Sequence, residues 1–166
     1  QQVKKAIEES LSGVSVSISS DVSPQIREYE RFNTVCANAY VKPLMSSYLE
    51  RLEERLKTFG MACPVYLMHS GGGLISLRTA AEFPVRLLES GPAGGTIYAS
   101  YIAEKHDLKR VVSFDMGVTT AKVCLINDMK PKTSRTFEVA RSYRFKKGSG
   151  MPISIPVIEM VEIGAG

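Results

Sequence analysis

Apolar positions recur at two different periods along the chain, and the switch between them divides it. Residues 3–10 (VKKAIEES) carry helical spacing. Val14, Val16 and Ile18 then alternate with serines, the period-two signature of a half-buried strand. Ser23 and Pro24 supply an N-cap and a proline at the first helical position, and Ile26, Tyr29, Phe32 and Cys36 follow at helical intervals. Pro43 is expected to kink or end that helix. The pattern restarts with Met45, Leu49, Leu52 and Leu56 on one face, Glu and Arg on the other, and Gly60 as the stop. This part reads as helical scaffold without a catalytic grouping.

From residue 61 the elements become short and glycine-punctuated. A strand at 64–68 (PVYLM) runs straight into His69 and the loop 70–73 (SGGG). Residues 79–82 fit part of a short helix, 85–88 (VRLL) a second strand, and 89–95 (ESGPAGG) a second glycine loop. A helix over about 96–106 follows, with Ile97, Ser100 or Tyr101, and Ala103 toward the core. Strands at 111–114 and 121–126 flank a tight turn and predict a hairpin. Beyond residue 130, Phe137 to Val139 and the alternating Ile153, Ile155 and Val157, set between two prolines, read as short edge strands.

Composition narrows the class. With 166 residues, 44% of them hydrophobic, the chain can bury a core. Its net charge of +4 is spread among Asp and Glu on helical segments without a nucleic-acid reader motif, so solvated faces are expected and not a nucleic-acid partner. Cys36, Cys63 and Cys124 are odd in number and far apart, which predicts small core residues and neither a disulfide framework nor a zinc site. No apolar run approaches the roughly 18 residues of a membrane helix, and no signal-peptide h-region opens the chain, so a cytoplasmic setting is expected. The chain starts on Gln1 without an initiator Met and stops on Gly166 within a glycine-containing stretch, so an internal piece of a longer protein is expected.

The candidate chemistry lies in the glycine-bearing turns. Asp115, Gly117, Thr119 and Thr120, in a strand-turn-strand setting, are coherent as a phosphate site. Glycine admits close backbone approach, successive turn N–H groups form an anion-binding concavity, and threonine hydroxyls add donors. Asp115 would then hold Mg2+ through water. A plain hairpin that uses Asp, Gly and Thr for their turn preferences is the competing explanation. Gly91, Gly94 and Gly95 stand before a helix, where free N–H groups and the helix dipole favour an anion, or else allow a sharp turn. Ser70, Gly71 and Gly72 offer a third ligand loop, with a tight backbone crossing as the alternative. The Gly-Lys-Ser/Thr ending of a P-loop is absent.

With MHSGGGLIS, LLESGPAGG, SFDMGVTTAKV and EIGAG in that order, and the upstream SSDVSPQIREYERFNTVCANAYVKP, nearly the whole chain resembles the hydantoinase/oxoprolinase family, specifically its ATP-dependent A-type subunit. The resemblance implies an α/β fold, part of an actin/sugar-kinase-like (ribonuclease H-like) ATPase domain with a mixed β-sheet, flanking helices and a helical segment before it. Residues 1–60 would be the end of the N-terminal region with a long helical connector, and 61–166 the start of the main domain. It implies ATP and Mg2+ as cofactors and ring opening of a cyclic amide as the activity. Ketone carboxylation and a non-catalytic assembly module are the alternatives. A B-type subunit or fused domain is the implied partner. Asp115, Gly117, Thr119 and Thr120 match the family's phosphate hairpin, and Gly91, Gly94 and Gly95 the glycine turn before it. Where the family has a second glycine this chain has Val118, whose branched side chain disfavours positive φ. The partner hairpin near the family's N-terminus is missing, so the piece alone is expected to be inactive.

Overall fold

The computed structural model describes residues 1–117, 120–143 and 146–164. They form two compact units that interleave along the chain: Gln1–Leu67, Ile75–Arg86 and Thr136–Ile155 in one, Met68–Leu74, Leu87–Arg135 and Pro156–Gly166 in the other. Residues 28–58 belong to the first, and the glycine-bearing stretches at 70–73 and 89–95 to the second.

In the first unit α1 (Gln2–Ser10) and α2 (Ser19–Val22) precede a 31-residue helix, α3 (Glu28–Thr58). Residues 14–18 form no strand. The Ser17 hydroxyl instead accepts a hydrogen bond from Asn38 Nδ2 at 3.1 Å, and no described strand supplies the ladder that the alternating pattern would need. Ser23 does not cap α3 but ends α2, and α3 starts four residues beyond Pro24 with Arg27 at its N-cap. Pro43 lies within α3 and does not end it. Its missing N–H and ring clash cost roughly 3 kcal/mol in a free helix. Here burial of Thr34, Asn38 and Leu49 on both sides of the proline holds the helix together. Gly60, at φ +81°, stops it as expected. Its N–H donates to Lys57 C=O at 2.9 Å and that of Met61 to Leu56 C=O at 3.1 Å, the paired bonds of a Schellman motif.

Polar residues fasten α3 to its surroundings. Asn38, fully buried, donates to Ser17 Oγ and to Glu82 C=O at 3.2 Å while its Oδ1 accepts the Val85 N–H at 3.3 Å. That last bond falls in a 3-10 turn (Pro84–Leu87) where a strand was expected. Thr34 donates to Glu30 C=O at 2.6 Å and accepts the Ser154 N–H at 2.7 Å. Helix α4 (Leu77–Glu82) packs on α3, and Ser76 caps it by accepting the Thr79 N–H.

Strands β1 (Tyr66–Met68) and β2 (Leu74–Ser76) pair in a two-stranded sheet. The second unit is built on α5 (Ser90–Lys105) and the strands β3 (Arg110–Met116), β4 (Thr120–Asn127) and β5 (Lys130–Pro131). Four short strands follow: β6 (Thr133–Ser134), β7 (Phe137–Val139), β8 (Met151–Ile153) and β9 (Val157–Ile158). The last strand, β10 (Val161–Gly164), joins the main sheet in the order β10-β4-β3, with β5 also on β4. All its pairings are antiparallel, which confirms the hairpin of β3 and β4. β6 pairs with β9 in the second unit and β7 with β8 in the first.

Helix α5 packs against β3 and β4 and covers one sheet face, where Ala93, Cys124 and Ile158 form a core flanked by Ile97 and Met160. Tyr101 stays exposed, and Thr96 and Ser100 take the buried positions between Ala93 and Ala103. Of the three cysteines only Cys124 is buried; Cys36 and Cys63 are exposed, contrary to the expectation of core residues. No helix among the described residues is long and apolar enough to cross a membrane.

Candidate functional site

In the second unit three antiparallel strands place three charges in one row. Asp115 on β3 stands opposite Lys122 on β4, and Lys122 stands opposite Glu162 on β10. Directly opposed residues share a sheet face. This row therefore lies on the face of Cys124, toward α5. The register fixes it: one residue of slip in any of the three strands would send its charge to the other face. Below the row, the Gly117 N–H donates to Thr120 C=O at 2.9 Å and closes the end of the hairpin. Val118 and Thr119, the tip of the motif, lie outside the described residues, as do Ala165 and Gly166.

Lys122 reaches up to the start of α5. Its Nζ is 2.9 Å from Glu89 Oε2 and 2.9 Å from Glu162 Oε2, with only 11% of the side chain exposed. Burial alone would push its ammonium down, but the Glu162 and Glu89 carboxylates overcome that and hold it above its ordinary value. Glu89 occupies the N-cap position of α5 in the left-handed region, at φ +59°. Such a conformation costs a non-glycine residue about 1–2 kcal/mol. Sequence reasoning missed both Lys122 and Glu89, because nothing in their spacing announces the ion pair.

The glycines of ESGPAGG lie inside α5, not in a loop before it. Helix α5 begins at Ser90, and the Ala93 N–H already donates to Glu89 C=O at 3.1 Å. Ser90 and Gly91 come too early for an intrahelical acceptor, and Pro92 has no N–H. A methyl group added at Gly91 or Gly95 would meet nothing within 4 Å, and one at Gly94 would make ordinary contact with Met68 at 3.8 Å. Packing among the described residues therefore gives no reason for glycine at these places, although each costs a helix interior about 1 kcal/mol relative to alanine.

The SGGG loop is the reverse case. A methyl at Gly72, φ +84°, would sit 2.7 Å from Ile97 Cδ1, and one at Gly71 2.8 Å from His69 Cε1. The Ser70 hydroxyl is buried and donates to Pro156 C=O at 2.6 Å, while Ser70 C=O accepts the Ile158 N–H at 2.9 Å. Internal packing accounts for this loop as it stands, with the His69 Nδ1 accepting the Gly71 N–H at 3.0 Å.

No group of three or more His, Cys, Asp or Glu among the described residues is arranged to hold a metal. A half-buried carboxylate such as that of Asp115 fits Mg2+ only in the mode that keeps several waters and borrows phosphate oxygens. Lys122 in this row thus joins Glu162 on β10 to Glu89 at the start of α5, with Asp115 opposite it on β3.

Known proteins share this arrangement of elements. The profile of the hydantoinase/oxoprolinase family matches residues 31–166. Over its full length the chain is 37% identical to an uncharacterised protein of Methanocaldococcus jannaschii, of which it covers 25%. It is 30% identical to the caprolactamase alpha subunit of Pseudomonas jessenii, of which it covers 23%. Among solved structures, nucleotide-free acetone carboxylase matches 99% of the chain at 27% identity with a TM-score of 0.81, over 22% of that larger chain. The chain spans about a quarter of the length of these relatives. Its α/β fold is the one expected, part of an actin/sugar-kinase-like ATPase domain.

Proposed function

The chain belongs to the hydantoinase/oxoprolinase family, and from that premise we propose that a longer protein carrying it opens a cyclic amide at the expense of ATP, with these residues forming one wall of the nucleotide site. The observation that carries this reading is the open space around Gly91 and Gly95 in the first turns of α5. Glycine there is costly to the helix and unnecessary to the packing of the described residues, which supports close approach by a ligand as its physical reason.

Each residue then has a part. Ser90 and Gly91 present N–H groups at the positive end of α5, where a phosphate is favoured. Asp115, with Thr119 and Thr120 at the hairpin, would hold the Mg2+ and the phosphate oxygens, and Gly117 lets the backbone come close. Lys122 ties the hairpin to α5 through Glu89, so that both anion-binding elements keep one spacing. ATP bound there with Mg2+ would supply a phosphoryl group to the amide oxygen, releasing ADP and leaving that oxygen activated as a leaving group. Ser70, Gly71 and Gly72 would support this wall from behind, by packing, more than they contact the nucleotide.

Caprolactamase, 30% identical, favours a lactam or related ring as substrate and a second subunit as partner. The match to acetone carboxylase favours a second reading, ATP-dependent carboxylation of a ketone. ATP turnover by the longer protein separates them. Stimulation by caprolactam, a hydantoin or 5-oxoproline is expected; stimulation by a ketone plus bicarbonate alone would move the assignment to the carboxylase reading. Titration of this chain with magnesium-ATP, beside a Val118→Gly variant, tests the wall itself. Binding by neither would remove the nucleotide from this half.

A further inference from the structure

A carboxylate stands beside the proposed phosphate position. Glu89 is the N-cap residue of α5, directly before Ser90 and Gly91, yet its side chain makes no capping hydrogen bond. An N-cap residue ordinarily has β-region dihedrals and turns its side-chain oxygen onto an N–H of the first turn. Glu89 is instead left-handed, at φ 59° and ψ 21°, and its Oε2 lies 2.9 Å from Lys122 Nζ. The same ammonium is 2.9 Å from Glu162 Oε2 on β10. The Glu89 and Lys122 side chains are both largely buried, so water and salt screen their attraction weakly.

We infer that Lys122 is the residue that makes the start of α5 accept a polyphosphate: its ammonium draws the Glu89 carboxylate off the first-turn N–H groups and cancels its charge. This rests on the nucleotide reading above and adds to it a role distinct from the tie between hairpin and helix. Without the ammonium, Glu89 would be a partly buried anion at the positive end of a helix. Its carboxylate would then turn onto the N–H groups that a phosphate needs, or repel the phosphate from where it stands. One uncompensated negative charge close to a polyphosphate in such a setting is worth about a tenfold change in affinity. Glu162, the second carboxylate on Lys122, is half exposed, and hydration makes its effect the smaller one. The charge role and the tie make opposite predictions for Glu89→Gln, which removes both the charge that Lys122 cancels and the ion pair that would hold the spacing.

Calorimetric titration of the complete gene product and its variants with magnesium-ATP tests this by affinity, without reference to turnover. Lys122→Met should weaken binding about tenfold, and adding Glu89→Gln to it should restore binding to within about threefold of the parent. Glu89→Gln alone, which keeps the ammonium and its contact with Glu162, should bind at least as tightly as the parent. Loss in Glu89→Gln equal to that in Lys122→Met would assign the pair to spacing alone and overturn the inference. So would a Lys122→Met variant that binds like the parent, or a double variant as weak as Lys122→Met. Where Lys122→Met fails to fold, Glu89→Gln alone decides. A parent that does not bind magnesium-ATP defeats the nucleotide reading, and this inference with it; a parent that binds leaves the variants to judge the inference by itself.

Discussion

Lys122 Nζ lies 2.9 Å from Glu89 Oε2, and that contact is made across a residue held in the left-handed region at φ +59°. The ion pair and the strain oppose each other at one position. Replacing Glu89 by glycine removes both, whereas alanine removes the pair and keeps the strain. Urea unfolding should therefore find Glu89→Ala less stable than Glu89→Gly by about 1 kcal/mol. Equal stabilities would mean that the backbone relaxes once the carboxylate is gone.

How much of this was legible in the sequence depends on the range of the interaction. Gly60 as a helix stop and the β3–β4 hairpin follow from local turn chemistry and alternation, and both are found. Helix α3 running through Pro43 was not legible, because the stabilising partners of Thr34 and Asn38 come from residues 82, 85 and 154. The alternating 14–18 segment failed for the same reason: alternation describes one face, but a strand also needs a neighbour. Within the candidate site, Asp115 and Gly117 could be read as a motif, while Glu89 and Glu162 meet Lys122 only through tertiary register.

Asn38 is the clearest such partner. Leucine in its place would leave the Val85 N–H and the Glu82 C=O without their side-chain partner in a buried setting. Asn38→Leu should cost about 2–4 kcal/mol, since an orphaned buried donor carries its full desolvation penalty. Denaturant midpoints at constant m-value would show it, and a loss under 1 kcal/mol would mean that water reaches the site.

Acid should loosen the first unit through Glu82. Its carboxyl is held below the ordinary range chiefly by the hydrogen bond from Lys42, at 2.8 Å, which outweighs the opposing effect of burial; the Lys42 and Lys4 charges add to the lowering. A depressed folded value means that the contribution is present above the ordinary glutamate value, about 4.3, and is lost as pH falls through the folded value. Glu82→Gln should therefore flatten the acid limb of a stability profile and leave its slope above pH 6 unchanged.

Thiol chemistry gives a simple check of burial. Cys36 and Cys63 are exposed, whereas burial pushes the Cys124 thiol up despite its hydrogen bond with Thr96. A thiol-specific reagent at neutral pH should titrate two groups at once and the third only on unfolding. Three fast groups would mean that α5 does not stay on the sheet.

The glycines of α5 make the strongest demand on the proposed function, because stability and binding should move in opposite directions. Gly91 and Gly95 are helical, and a methyl there touches nothing within 4 Å. Gly91→Ala and Gly95→Ala should each raise stability by about 0.5–1 kcal/mol. Gly72→Ala should do the opposite, since φ is +84° and the methyl would press on Ile97 at 2.7 Å. If a nucleotide phosphate approaches the first turn of α5, the same Gly91→Ala that stabilises the chain should weaken magnesium-ATP binding, because the added methyl stands where the phosphate must come close. A Gly91→Ala variant that is more stable and binds magnesium-ATP as well as the parent would separate the two effects. In that case the glycines would serve another surface, and the phosphate wall would have to be sought at the hairpin alone.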